Sequence, residues 1–250
     1  MRADTPAVAG PPAGPELGAR TDDDLAALYA WPETPGPTVR ANMVTSLDGG
    51  AAVDGRSGGL GNEADQRLFA VLRDLAEVIL VGSGTVRAEG YAGVELDDGR
   101  RARRVRWGLP PAPPPIAVVT GRGLDADLPL FTDFETAPIV VTPRAAAGRV
   151  PDAATALVAG EETVDLPAAI RGLADRGFRR IHCEGGPDLL GRLVEADLLD
   201  ECCLTIAPML LGSAATRLLP TELGAPSRWT PVSLGIDGAH LFARYRRAGR

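Results

Sequence analysis

Runs of apolar residues divide the chain into a repeating strand-and-helix rhythm. Val78, Ile79, Leu80 and Val81 form a short β-branched run with no polar face, the mark of a strand covered on both sides. Residues 38–45, 116–120, 139–142, 156–158, 180–184 and 200–207 read as further strands. Between them the period changes to that of a helix. Leu68, Phe69, Val71, Leu72 and Leu75 share one face of a helix opened by Asn62 and Glu63. Residues 166–176 and a segment from Pro187 to about 196 repeat the pattern. Thr21, followed by three aspartates, caps a short helix that ends near Tyr29, with its acids at the positive end. At the C-terminus, 232–235 and 240–245 alternate apolar and polar around Asp237 and Gly238, as an antiparallel hairpin does. The pattern predicts a three-layer α/β domain: a mixed, mostly parallel central sheet, helices on both faces, and a C-terminal antiparallel hairpin.

Three stretches fall outside this rhythm. Residues 1–20 are rich in Pro, Gly and Ala and read as a disordered tail before one domain spanning 21–250. Residues 46–60 read as a glycine-rich loop. Residues 92–115, rich in Arg and Pro, read as a solvated, mobile insertion, with an anion site as the alternative.

Composition narrows the function. The chain of 250 residues carries a net charge of -7, which argues against nucleic acid and anionic membranes as partners. No apolar run reaches membrane-spanning length and no charged-then-apolar leader opens the sequence, so a cytoplasmic location is expected. Cys183, Cys202 and Cys203 all fall in predicted strands, as buried reduced thiols would. The two histidines form no His/Cys cluster with metal-ligand spacing, so no metal is expected.

Two glycine turns carry the chemistry. Gly82, Ser83, Gly84 and Thr85 follow the Val78 strand, with Thr85 as a candidate helix N-cap. Glu184, Gly185, Gly186 and Pro187 follow the 180–184 strand and lead into a helix. A bare glycine lets a backbone approach a ligand, and helix-start N–H groups favour an anion such as a phosphate. Each turn also reads as an ordinary tight βα corner. Arg87 stands where a dinucleotide fingerprint needs its third glycine, which counts against a doubly wound dehydrogenase. Two such turns, distant in sequence, fit a dinucleotide gripped from two places.

Four motifs in order resemble one family. Asn42-Met43-Val44-Thr45-Ser46-Leu47-Asp48-Gly49 looks like the S-L-D-G strand end of the riboflavin-pathway pyrimidine reductases. These reductase domains share the dihydrofolate-reductase fold and often sit behind a zinc deaminase. The Gly82-Ser83-Gly84-Thr85-Val86 and Glu184-Gly185-Gly186-Pro187 turns match two further family motifs. Asp200-Glu201, Ala207-Pro208 and Leu211-Gly212 match a fourth, and the match covers about 38–245. It looks closest to a stand-alone actinobacterial-type branch. No H-x-E with a partnering P-C-x-x-C is present, so cytosine-type deamination is not expected.

The resemblance implies NADPH as hydride donor, a phosphorylated ribosylamino-pyrimidine as substrate, and a homodimer. It implies cofactor contacts by Thr45, Gly82, Gly84 and Thr85 on one side and by Gly185, Gly186, Pro187 and Leu189 on the other. Thr120 and Arg122 would meet the adenosine 2′-phosphate, although Arg122 also reads as a solvated loop charge. Asp48 and Glu184 are the catalytic candidates, and Ser57 and Arg73 the substrate-binding ones. Asp48 also reads as a turn-initiating Asx residue, Arg73 as a partner of its own helix's C-terminus, and Glu184 as a brace of its turn. His182 reads as a packed strand histidine. After the G-T-V turn the family carries D-x-P-x-L…R, where this chain has Arg87-Ala88-Glu89-Gly90-Tyr91-Ala92-Gly93. That departure leaves the substrate's phosphate end unassigned, with the arginine-rich insertion as one substitute. Reduction of dihydrofolate or another pterin, and a catalytically silent nucleotide-binding module, remain alternative readings.

Overall fold

The computed structural model describes residues 16–249, and the expected disorder of residues 1–15 lies outside them. One nine-stranded sheet runs β5-β4-β3-β2-β6-β1-β7-β9-β8. Its strands are β1 (Thr38–Ser46), β2 (Val78–Gly82), β3 (Ile116–Val119), β4 (Ile139–Thr142), β5 (Thr155–Val158), β6 (Arg180–Cys183), β7 (Glu201–Ala207), β8 (Trp229–Asp237) and β9 (His240–Arg247). β5 through β7 pair in parallel, and β9 joins β7 and β8 antiparallel. The hairpin turn falls at Gly238 and Ala239, one residue later than expected, because Asp237 already pairs with His240.

Strand alternation sends side chains to two cores. Val39, Ala41, Val78, Leu80 and Ile181 face one side, where α6 (Leu166–Asp175) and α7 (Pro187–Glu195) cover them. The opposite face is covered by α1 (Asp22–Leu28) and α2 (Glu63–Asp74), through Leu25, Leu68, Val71, Leu72 and Leu75. Thr21 caps α1 in a full capping box with Asp24.

Two segments differ from their sequence reading. Residues 16–20 are ordered: a single 3-10 turn, Leu17–Ala19, buries Leu17 against Tyr29 and Phe242 in the α1/α2 core. The arginine-rich stretch is also folded. It holds α4 (Asp98–Arg106), following α3 (Ser83–Glu89), and its anchors are ion pairs that apolar periodicity does not register. Buried Asp74 receives Arg100 at 2.8 Å and Arg103 at 2.6 Å. Arg104, 2% exposed, donates to the carbonyls of Asp74, Ala76 and Pro110. These arginines are engaged with the protein itself, as is Arg101, which pairs with Glu135 at 2.6 Å. None of the four lines the cavity described below.

A candidate active site at the strand ends

The carboxyl ends of the parallel strands β1, β2 and β6 open into a cavity of about 640 Å³. Strand ends of an open parallel sheet are where ligands of α/β proteins bind, because the loops there diverge and leave a crevice. Ser57, Arg73, Gly82, Gly84, Thr85, Glu184, Gly186, Pro187 and Leu189 all line it.

The two glycine turns meet at one wall. β2 and β6 are neighbours, and the Gly82 N–H donates to the Gly185 carbonyl at 2.7 Å. They therefore form one continuous corner rather than two grips at opposite ends of a ligand. A Cβ at Gly186 would lie 2.6 Å from Thr85 Oγ1, and Gly185 adopts φ +80 with Met43 packed against it. Both positions depend on lacking a side chain. Gly186 is the N-cap of α7 and Pro187 its first residue, and no side chain caps that helix start. Thr85 lies inside α3, whose N-cap is Gly82, so it does not cap the helix as expected; its hydroxyl instead approaches Gly186.

Beside this corner Arg73 and Glu184, expected separately from sequence, form a single buried unit. Arg73 Nε and Nη2 donate to the two Glu184 oxygens at 2.7 and 2.8 Å. The Tyr91 hydroxyl donates to the same carboxylate at 2.7 Å. The guanidinium stacks over Phe69 at 4.2 Å, while Arg73 also stands in the last turn of its own helix, where a cation suits the C-terminus. Burial pushes the Glu184 pKa up, but the Arg73 charge, its hydrogen bonds and Tyr91 outweigh it and hold the carboxyl below its usual range. Glu184 is thus an anion at neutral pH and not a proton donor. His182 behind it is fully buried, and desolvation takes its pKa down to about 4, so the imidazole is neutral. Its 3.7 Å approach to Glu184 is not an ion pair at neutral pH.

The remaining expected residues lie apart. Asp48 is not among the residues lining the cavity: it accepts from Ser46 Oγ, from the Leu211 N–H at 3.1 Å and from the Gly212 N–H at 2.7 Å. These bonds, first among them that from Ser46, lower its pKa to about 2. It staples the segment after β7 onto the end of β1, a role set by a partner 163 residues away. Thr45 is buried and donates to the Gly50 carbonyl at 3.0 Å. Thr120 closes its own turn by donating to Gly123, while Arg122 is exposed just beyond. Neither lines the cavity. Sequence reading did not single out Asn42, Asp65, Phe69, Glu89 or Tyr91, all of which do. Glu89 accepts from both the Ser57 N–H at 2.8 Å and its hydroxyl at 3.0 Å, pinning the glycine-rich loop over the opening. Tyr91, the one aromatic in the element that departs from the family pattern, was the signal available.

All three cysteines are free thiols. Burial raises Cys183 and Cys202 to about 12 and Cys203 to about 11, leaving them unreactive near neutrality. Among the described residues no helix is long and apolar enough to cross a membrane.

Residues 37–241 match the family model described as the RibD C-terminal domain. The 2,5-diamino-6-ribosylamino-4(3H)-pyrimidinone 5′-phosphate reductase of Archaeoglobus fulgidus is 29% identical over 180 residues, 70% of this chain and 82% of that protein. The structure of a pyrimidine reductase-like protein from Corynebacterium diphtheriae superposes with a TM-score of 0.80 at 26% identity, covering 90% of this chain and 99% of that one. Dihydrofolate reductase from Enterococcus faecalis, at 12% identity, shares the fold with a TM-score of 0.50 over 84% of this chain and 96% of its own.

Proposed function

Because the chain belongs to the RibD C-terminal domain family, we propose that it is an NADPH-dependent reductase of the riboflavin-pathway type. It reduces the ribosyl group of 5-amino-6-(5-phosphoribosylamino)uracil, or of a close pyrimidine, to ribityl. The observation that carries this reading is one cavity lined both by the glycine corner, through Gly82 and Gly186, and by the buried Arg73–Glu184–Tyr91 unit that adjoins it.

The corner suits a dinucleotide. Gly84 has open space where a Cβ would be, Gly186 has none to spare, and the α7 start offers uncapped N–H groups to a pyrophosphate. Gly82, Gly84, Thr85, Gly185, Gly186, Pro187 and Leu189 would hold NADPH there, with Thr120 and Arg122 toward its adenosine end and Thr45 behind the nicotinamide wall. When bound, NADPH supplies the hydride. The protein's part is to bring the sugar carbon to that hydride and keep water out. Arg73, clamped by Glu184 and Phe69, is a fixed donor plane that orients the pyrimidine. Glu184, ionised and carrying three hydrogen bonds, orients rather than protonates, so the proton that completes reduction comes from water.

The apolar outer end of the sheet supports a homodimer. Leu234, Ile236 and Leu241 are 47%, 49% and 43% exposed on the outer strands β8 and β9, an apolar surface suited to a second copy. A cytoplasmic location is consistent with free thiols held reduced.

The test is direct. Purified protein is mixed with NADPH and the phosphoribosylamino-pyrimidine or its close analogues, and loss of reduced-nicotinamide absorbance is followed beside the product's mass. Gain of two hydrogens in the sugar supports the reading. Cofactor binding with no turnover of any of them defeats it.

A further inference from the structure

The glycine-rich loop carries a pair of anion donors into the cavity lining. Val53 and Arg56 exchange backbone hydrogen bonds at 2.9 and 3.0 Å across Asp54 (φ +49) and Gly55 (φ +80), as a type I′ hairpin turn does. That turn fixes the approach to Ser57, the next residue along, which lines the cavity together with Gly55. The Ser57 N–H and hydroxyl converge on one oxygen, Glu89 Oε1, at 2.8 and 3.0 Å. Glu89 is a poor occupant of this seat. It is the last residue of α3, where a carboxylate meets the negative end of the helix. No basic side chain lies within ion-pair distance of it among the described residues.

A free cation adjoins the seat. Arg56 is exposed, and its guanidinium makes no hydrogen bond or ion pair among the described residues. Other arginines near the opening are engaged: Arg73 with Glu184, Arg87 with Ser83 Oγ, and Arg217 with the Asp48 carbonyl. A phosphate dianion can take both Ser57 donors, as Glu89 does, and still offer oxygens to a guanidinium. We propose that Glu89 is an internal stand-in for the substrate's phosphate: the incoming group displaces it from Ser57, and Arg56 supplies the charge that holds the phosphate there. This assigns the phosphate end of the substrate, which the departure after Thr85 leaves without a partner. A ligand lacking the phosphate leaves Glu89 in place.

The inference takes its substrate from the reductase reading, and its test separates the two. Ribose 5-phosphate and ribose are titrated calorimetrically into the protein, with NADP+ in excess to occupy the glycine corner. Ribose 5-phosphate should bind at least about tenfold more tightly than ribose. Arg56→Gln should erase most of that difference. Glu89→Gln, which keeps an acceptor for Ser57 and removes the charge, should raise the affinity for ribose 5-phosphate severalfold. Arg56 is exposed, so its variant reports even where Glu89→Gln folds poorly. Affinity unchanged by Arg56→Gln, or weakened by Glu89→Gln, overturns the proposal and makes Glu89 a fixed brace of the loop. NADPH oxidation with the phosphoribosylamino-pyrimidine is followed in the same proteins. Turnover with affinities that ignore both substitutions overturns the seat alone. Affinities in the expected order without turnover overturn the reductase reading and leave the seat standing.

Discussion

Replacing Arg73 with Met removes the cation paired with Glu184. The carboxylate is 1% exposed and would keep just the Tyr91 hydroxyl and a neutral His182 beside it. Breaking one side of a buried ion pair costs about 3–5 kcal/mol, and the retained Tyr91 bond offsets about 1 kcal/mol of that. Arg73→Met should therefore lose about 3 kcal/mol at pH 8, a large part of a domain's usual stability. The pH dependence gives a sharper signature. In the wild type the Glu184 pKa is lowered, so its contribution is present above the unfolded value of about 4.3 and fades only as pH falls through the folded one. In the variant burial is opposed chiefly by the Tyr91 bond, the folded pKa rises above the unfolded one, and the penalty vanishes as acid protonates the carboxyl. The gap between the two proteins should close on going from pH 8 to pH 5, by at most about 1.4 kcal/mol per pH unit. Urea denaturation at several pH values measures it, and Arg73→Met/Glu184→Gln should recover most of the loss. A deficit under about 1 kcal/mol, or one independent of pH, would refute the claim that these residues form one electrostatic unit.

Other substitutions probe separate parts of the structure. Gly186→Ala places a methyl against Thr85 Oγ1, so NADPH affinity by fluorescence titration should fall at least about tenfold while the fold survives. Asp48→Ala frees the N–H groups of Leu211 and Gly212 and should speed proteolytic cleavage after β7 without changing the KM for NADPH. Lowering pH toward about 2 should loosen the wild-type segment similarly, because a depressed pKa gives stability that is lost as pH falls through it. Arg104→Met strands three carbonyls and should cost about 3 kcal/mol in urea denaturation with kcat unaffected.

The strands and both glycine turns were legible because they are local: a β-branched run and a bare corner announce themselves within ten residues. Arg73 and Glu184 were each visible as candidates, but not their union, since their separation of 111 residues is closed only by the sheet order. The hydrogen bonds of Asp48 to Leu211 and Gly212 were not legible, because they join the end of β1 to a segment 163 residues away. The helix α4 escaped notice because Asp74, Asp22 and Asp23 hold it by charge, with few apolar positions to set a period. Asn42, Asp65 and Glu89 sit on three different elements, and nothing in their own neighbourhoods marks them as neighbours of one cavity.

A crystal soaked with NADPH bears most directly on the central claim, that one glycine corner holds the coenzyme against the Arg73–Glu184 unit. Density should run along Gly82–Thr85 and the α7 start, with the nicotinamide beside Glu184 and the adenosine toward Arg122. Coenzyme bound elsewhere, or a clear cavity at saturating concentration, would contradict it.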